Sequence, residues 1–119
     1  VILVDHNSLE QSAIGIEEAE ITEIIDHHNL GAIGTNVPIN FRSMPVGCTC
    51  TIIYNMFVEK KISIPRHIAG LMLSAILSDT LIFKSPTTTE EDIFAASKLA
   101  KLAKVNIDEY GYLQQILLP

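Results

Sequence analysis

The chain has 119 residues and a mass of 13.1 kDa, the size of one modest domain. Apolar residues make up 48% and charged residues 18%, which excludes a disordered chain, and no apolar run approaches the ~20 residues of a membrane helix. The 14 acidic and 8 basic residues leave a formal charge of −6, which argues against a basic nucleic-acid surface but not against a site whose bound cations offset the acids.

In chain order, Val1 to Val4 is a short apolar, β-branched run that stops at Asp5-His6-Asn7-Ser8. It predicts a strand buried on both faces, then a polar loop. It meets an acid at once and has no basic leader, so no secretory signal is expected. A chain that opens on Val in mid-strand is expected to be a fragment or a processed product. Residues 8–19 predict irregular chain with a helical turn. Ile21 to Ile25 predicts a second strand, ending at Asp26-His27-His28-Asn29. Residues 37–44 alternate apolar and polar side chains, and Pro38 places that strand at an edge.

Helices follow. Residues 47–60 carry one broad apolar stripe through Cys48, Ile52 and Met56. Pro65 suits the first turn of the next helix, which is apolar almost all round and runs into Ser78-Asp79-Thr80. Thr88 and Glu91 predict a capping box for a third helix, with acids early and Lys98, Lys101 and Lys104 late. Asp108 predicts the cap of a last helix toward Leu118. Strands followed by helices give an α/β domain with a mostly parallel sheet flanked by helices. So small a domain also leaves room for a partner surface.

Ligands in open α/β sheets bind beyond the carboxyl ends of the strands. Both predicted buried strands end at metal-capable groups: Asp5 and His6 on the first, Asp26, His27 and His28 on the second. The buried helix then delivers Asp79. Carboxylates mixed with imidazoles suit Mn, Co, Zn or Fe better than Ca or Mg alone. A carboxylate can bridge two cations, the core of two-metal hydrolysis. Each residue has a plainer reading by itself: a turn or cap for Asp5, a surface residue for one of the histidines, a helix-end residue for Asp79. His6 and His67 fit structural or surface roles. Cys48 and Cys50 are too few for a disulfide scaffold; they predict free thiols, buried as small side chains, in a reducing cytoplasmic compartment.

The combination resembles the DHH phosphoesterase superfamily and, within it, the family II inorganic pyrophosphatases. The stretches that carry the resemblance are Val-Ile-Leu-Val-Asp-His-Asn (1–7), Ile-Ile-Asp-His-His (24–28), Pro-Val-Gly (45–47), Ile-Ala-Gly-Leu-Met-Leu-Ser (68–74), Ile-Leu-Ser-Asp-Thr-Leu (76–81), Lys-Ser-Pro-Thr-Thr (84–88) and Asn-Ile-Asp-Glu-Tyr-Gly (106–111). The resemblance covers essentially the whole chain. It implies that Asp5 bridges two metals, that His27 and Asp79 ligate one of them, and that His28 faces the substrate phosphate as the catalytic donor. Asp26 would orient the histidines from behind. It further implies Mn²⁺ or Co²⁺ at two sites in a complete enzyme, Mg²⁺ arriving with pyrophosphate, and a homodimer formed through this domain, with no nucleic-acid or membrane partner.

The chain also departs from the family. Members carry an upstream His-x-x-x-Asp-x-Asp cluster and a C-terminal domain that closes on substrate with basic residues. Neither is found in these 119 residues, and Ser8 stands where many members have Glu. The expectation is a partial DHH catalytic domain over residues 1–119. Two further readings stay open: another DHH phosphoesterase such as an exopolyphosphatase, and a metal-binding, dimerising fragment without activity of its own.

Overall fold

The computed structural model describes residues 1–117, with side chains described as far as residue 112. The chain divides into two compact units, Val1–Pro45 and a second from Val46 onward.

The first unit is a parallel three-stranded sheet in the order β1 (Ile2–Val4), β2 (Glu23–Asp26), β3 (Asn40–Ser43). Leu3 pairs with Ile24 and Ile24 with Phe41, so the β1 and β2 carboxyl ends lie side by side. Ile16–Glu18 forms the single 3₁₀ turn of the first connection. Leu3, Ile21 and Ile24 are the core, with Ile16, Ile33 and Ile39 packed against them. β2 is buried throughout its last three residues.

β1 departs from the prediction of burial on both faces. Leu3 is 5% exposed, but Ile2 and Val4 are 55% and 47% exposed. Successive strand side chains point to opposite faces, and Ile16, Ile33 and Ile39 pack on the Leu3 and Ile24 cluster. Apolar composition reports that a strand can be buried on two faces, not that both are covered. β3 does lie at an edge, but it starts at Asn40, whose N–H donates to the Thr22 carbonyl at 3.2 Å. Pro38, which has no N–H to give the ladder, falls ahead of the strand.

The second unit is helical: α1 (Thr49–Glu59), α2 (Arg66–Asp79), α3 (Glu90–Ala103) and α4 (Ile107–Leu117). α2 buries Ala69, Met72, Leu73, Ile76 and Leu77 at its centre, as its composition predicts. Pro65 serves as its N-cap rather than its first helical residue. Beyond Asp79 the helix is closed by Thr80, whose buried hydroxyl donates to the Ile76 carbonyl at 2.7 Å and accepts the Phe83 N–H at 3.1 Å. Leu81, Ile82 and Phe83 then take φ of 51°, 54° and 66°, three successive left-handed residues without a glycine. Each costs about 1–2 kcal/mol. Hydrogen bonds from Ile82 N–H to the Leu77 carbonyl and from Ser85 N–H to the Thr80 carbonyl, both 2.8 Å, offset that cost. Ile82 also packs on Gly111 of α4, where an added Cβ would lie 3.1 Å from Ile82 Cδ1.

Two predicted caps are displaced. α3 is capped by Thr89 with Asp92 at N3, not by Thr88 with Glu91. The register follows tertiary partners: the fully buried Asp92 carboxylate also accepts the Gly47 N–H at 2.8 Å and the Thr51 hydroxyl at 2.6 Å, whereas Glu91 is exposed. α4 is entered through Asn106, whose side-chain oxygen accepts the Glu109 N–H at 3.2 Å, so Asp108 is inside the helix. Leu118, its predicted limit, lies outside the described residues.

Gly47 is held in this corner without room for a side chain. A Cβ there would sit 2.9 Å from Thr80 Cγ2 and 3.0 Å from Asp92 Oδ2. Gly47→Ala is expected to destabilise the protein by about 1–3 kcal/mol, the usual cost of overpacking. Urea unfolding should show a lower midpoint with an unchanged m value; an unchanged midpoint would mean that the corner yields freely. No helix among the described residues is long and apolar enough to cross a membrane.

Candidate metal centre

The site starts from the parallel register of β1 and β2. Asp5 follows β1 directly, and its N–H continues the ladder to the Ile25 carbonyl at 2.9 Å. Its own φ of 63° is left-handed, a conformation that Asp tolerates better than most residues. The turn begins there, beside the end of β2. β2 ends at Asp26, so His27 and His28 leave the sheet on irregular backbone.

That backbone brings the two imidazoles together. Adjacent residues in an extended strand would point to opposite sides, which would keep the two imidazoles apart. Once past the strand they do not alternate: the rings have centroids 4.1 Å apart and are tilted by 40°. His27 Nε2 lies 3.3 Å from Asp5 Oδ1. One ligand atom from each of Asp5, His27 and His28 lies within 4.8 Å of the other two. His27 is mostly buried, with its side chain 12% exposed, whereas Asp5 is 58% and His28 48% exposed. One carboxylate and two imidazoles at this spacing are a donor set that fits a first-row divalent cation, Mn²⁺ among them.

Behind the histidines lies a buried polar support. Asp26 Oδ1 accepts from His28 Nδ1 at 2.6 Å. With Nδ1 engaged, Nε2 is the nitrogen left for other chemistry. Asp26 Oδ2 accepts from the Asn7 amide. Burial pushes the Asp26 carboxyl up, but hydrogen bonds from Asn7, His28 and the His27 backbone, with the nearby His28 imidazole, outweigh it and hold Asp26 below its ordinary value. Asp26 therefore stays ionised and, as the acceptor, fixes the His28 ring through its Nδ1–H.

Asn7 is the polar residue that sequence reasoning missed. It is 4% exposed. Its amide also donates to the Asn29 carbonyl at 3.0 Å, and its side-chain oxygen accepts the Gly31 N–H. In sequence it is one more residue of a polar loop, because its partners come from the last residue of β2 and the loop that follows. A cavity of about 850 Å³ opens at this end of the sheet, lined by Asp5, Asn7, Gln11, His28 and Gly31 among others. His6 faces neither ligand: its ring nitrogens meet the Val4 carbonyl at 2.9 Å and the Ser12 hydroxyl at 2.8 Å.

Asp79, the remaining predicted ligand, is the last residue of α2 in the second unit and is exposed. Within that unit it meets Cys48, the buried N-cap of α1. The hydrogen bond with Cys50, then burial, then the Asp79 carboxylate push the Cys48 thiol up. Cys48 is buried and Cys50 half-buried, both as free thiols, and neither joins the cluster of Asp5, His27 and His28. His67 lies exposed in the first turn of α2.

Comparison with known proteins adds a second line of evidence. The family described as DHH family, N-terminal domain, matches residues 1–76. A Brevibacillus brevis protein named a probable manganese-dependent inorganic pyrophosphatase is 54% identical over 111 residues, covering 93% of this chain and 36% of that protein. The manganese-dependent inorganic pyrophosphatase of Bacillus subtilis is 52% identical over the same length and coverage. The crystal structure of a Methanococcus jannaschii protein, a candidate family II inorganic pyrophosphatase, superposes with a TM-score of 0.88 at 43% identity, over 95% of this chain and 40% of that one. The chain thus spans 36% of the length of these curated relatives, a little over a third.

Proposed function

The chain belongs to the DHH family, and from that premise we propose that it supplies part of the active site of a manganese-dependent enzyme that hydrolyses inorganic pyrophosphate to two phosphates. The observation that carries this reading is the meeting of Asp5, His27 and His28 at the carboxyl ends of two paired parallel strands, with Asp26 buried behind them. Asp5 and His27 would hold the cation, with Asp79 proposed as a further ligand on the strength of the resemblance. Asp5 has a second carboxylate oxygen for a second cation. Cobalt serves in place of manganese, and magnesium arrives with the substrate. His28 presents Nε2 to a phosphoryl oxygen while Asp26 holds its other nitrogen. A divalent cation, when bound, lowers the pKa of water and offsets phosphate charge.

These 119 residues hold no His-x-x-x-Asp-x-Asp cluster and few basic groups, so the chain acts as the later part of a DHH catalytic domain. Ligands and cations beyond it complete the centre. The enzyme works in the cytoplasm as a homodimer that pairs through this domain.

The test has two arms. Calorimetric titration of the chain with Mn²⁺ should show binding that Asp5→Asn and Asp79→Asn each weaken by about 10-fold or more, the loss of one anionic ligand. If Asp79→Asn binds Mn²⁺ like the parent, the shared site is wrong. The natural polypeptide that contains this chain should release phosphate from pyrophosphate with Mn²⁺, whereas the 119-residue chain alone should not. Rapid Mn²⁺-dependent release by the chain alone would overturn the need for further ligands. Preference for polyphosphate over pyrophosphate would move the enzyme to another branch of the family.

A further inference from the structure

Resting on the reading that His28 faces the reacting phosphate, we propose that Asn7 is a positioning residue for His28, acting through Asp26 and through the backbone of residues 29–31. Three contacts carry this. The Asn7 amide donates to Asp26 Oδ2, and the other oxygen of the same carboxylate takes His28 Nδ1 at 2.6 Å. The amide also donates to the Asn29 carbonyl at 3.0 Å. The side-chain oxygen accepts the Gly31 N–H. One side chain from the β1 loop thus grips the chain on both sides of His28, at Asp26 and at 29–31.

A separate feature of the backbone points the same way. A Cβ on Gly31 would lie 2.8 Å from Asn7 Oδ1 and 3.0 Å from the Asn7 carbonyl. Glycine is what lets the two segments come this close. The grip is also chemically full: both acceptor and donor sides of the Asn7 amide are used and the residue is 4% exposed. Aspartate could supply the acceptor but not the donors; leucine, of similar volume, could supply neither. His28, half exposed at the rim of the cavity, packs against the His27 ring, which leaves the direction of its nitrogens to hydrogen bonding. Its ring is held at Nδ1 by Asp26, and Asn7 is the side chain that, with the His27 backbone, holds Asp26. Asn7 needs no contact with substrate for this role.

Two measurements test the proposal. In the ¹⁵N-labelled chain, the His28 Nδ1 proton should be visible and slow to exchange, assigned by its absence in His28→Gln. Asn7→Ala should lose that signal while the backbone spectrum stays dispersed. The signal surviving unchanged would overturn the proposal whatever the enzyme turns out to hydrolyse. In the natural polypeptide that contains this chain, Asn7→Ala should lower kcat about 10–100-fold with Mn²⁺ affinity retained, the usual scale for an outer partner. In a His28→Ala background the same change should cost less than about threefold, because the ring it positions is gone. The full loss recurring in that background would show that Asn7 acts by another route. If Asn7→Ala does not fold, Asn7→Ser keeps a small polar side chain too short to reach both Asp26 and Gly31; it should reproduce the kcat loss, and wild-type kcat in that variant would refute the proposal. An absence of any pyrophosphate turnover in the parent would defeat the functional reading alone, since the Nδ1 signal still decides the role of Asn7.

Discussion

His28→Ala is expected to lower kcat for pyrophosphate about 10²–10⁴-fold while leaving Mn²⁺ affinity nearly unchanged, and His27→Ala to do the reverse on metal. The magnitude is that of a donor acting on a reacting group in the transition state. The division of labour follows from the surroundings of each ring. His27 is 12% exposed and has Nε2 3.3 Å from Asp5, which places it in the carboxylate's coordination space. His28 is 48% exposed, spends Nδ1 on Asp26 and stands at the rim of the cavity. A half-exposed imidazole with one nitrogen anchored is suited to reach a substrate oxygen. Since the rings are only 4.1 Å apart, the two roles are close to exchangeable, which makes the experiment discriminating. Metal titration and steady-state kinetics on both variants, in the natural polypeptide that contains this chain, decide it. Loss of metal in His28→Ala but not in His27→Ala would reverse the assignment. No effect of either on metal or rate would remove the site.

What was legible in the sequence is what depends on chain-local pattern. Two apolar runs ending in Asp and Asp-His-His placed the strands and, through the strand-end rule for α/β sheets, the cluster of Asp5, His27 and His28. The apolar run from Ile68 to Leu77 placed the central helix. What was not legible depends on partners distant in sequence. Burial of Leu3 but not Ile2 or Val4 is set by Ile16, Ile33 and Ile39, which choose the covered face. The approach of His27 to His28 follows from the irregular backbone after Asp26, where the alternation of strand side chains no longer holds. Asn7 has no signal of its own, because its partners at positions 26, 29 and 31 are joined to it only by the β1–β2 pairing. The left-handed run at 81–83 has no glycine to announce it; Thr80 and the packing of Ile82 on Gly111 impose it from outside.

Asp92→Ala is expected to cost about 3–5 kcal/mol, a large share of the ~5–15 kcal/mol that holds a domain of this size. A carboxylate in the first turn of α3 would ordinarily be worth only a cap, about 1 kcal/mol. Asp92 is different because it is fully buried and accepts at four points: Thr89 N–H and hydroxyl, both 2.8 Å, Gly47 N–H at 2.8 Å and the Thr51 hydroxyl at 2.6 Å. It ties the start of α3 to the entry and first turn of α1. Truncation leaves two buried donors from α1 and its entry without an acceptor, at about 1–3 kcal/mol each, in addition to the lost cap. Asp92→Asn keeps the shape and one carbonyl oxygen but turns an amide NH₂ toward donors. It should cost about 2 kcal/mol, between the parent and the alanine variant. The neighbours supply the control. Glu90 and Glu91 are exposed, so alanine at either should stay within about 0.5 kcal/mol. Urea unfolding of the four variants separates the two possible capping registers. A large loss in Glu91→Ala with a small one in Asp92→Ala would return the cap to Thr88. The opposite order places the helix start at Thr89, where one buried carboxylate serves both as the N3 partner of the cap and as the bond between α3 and α1.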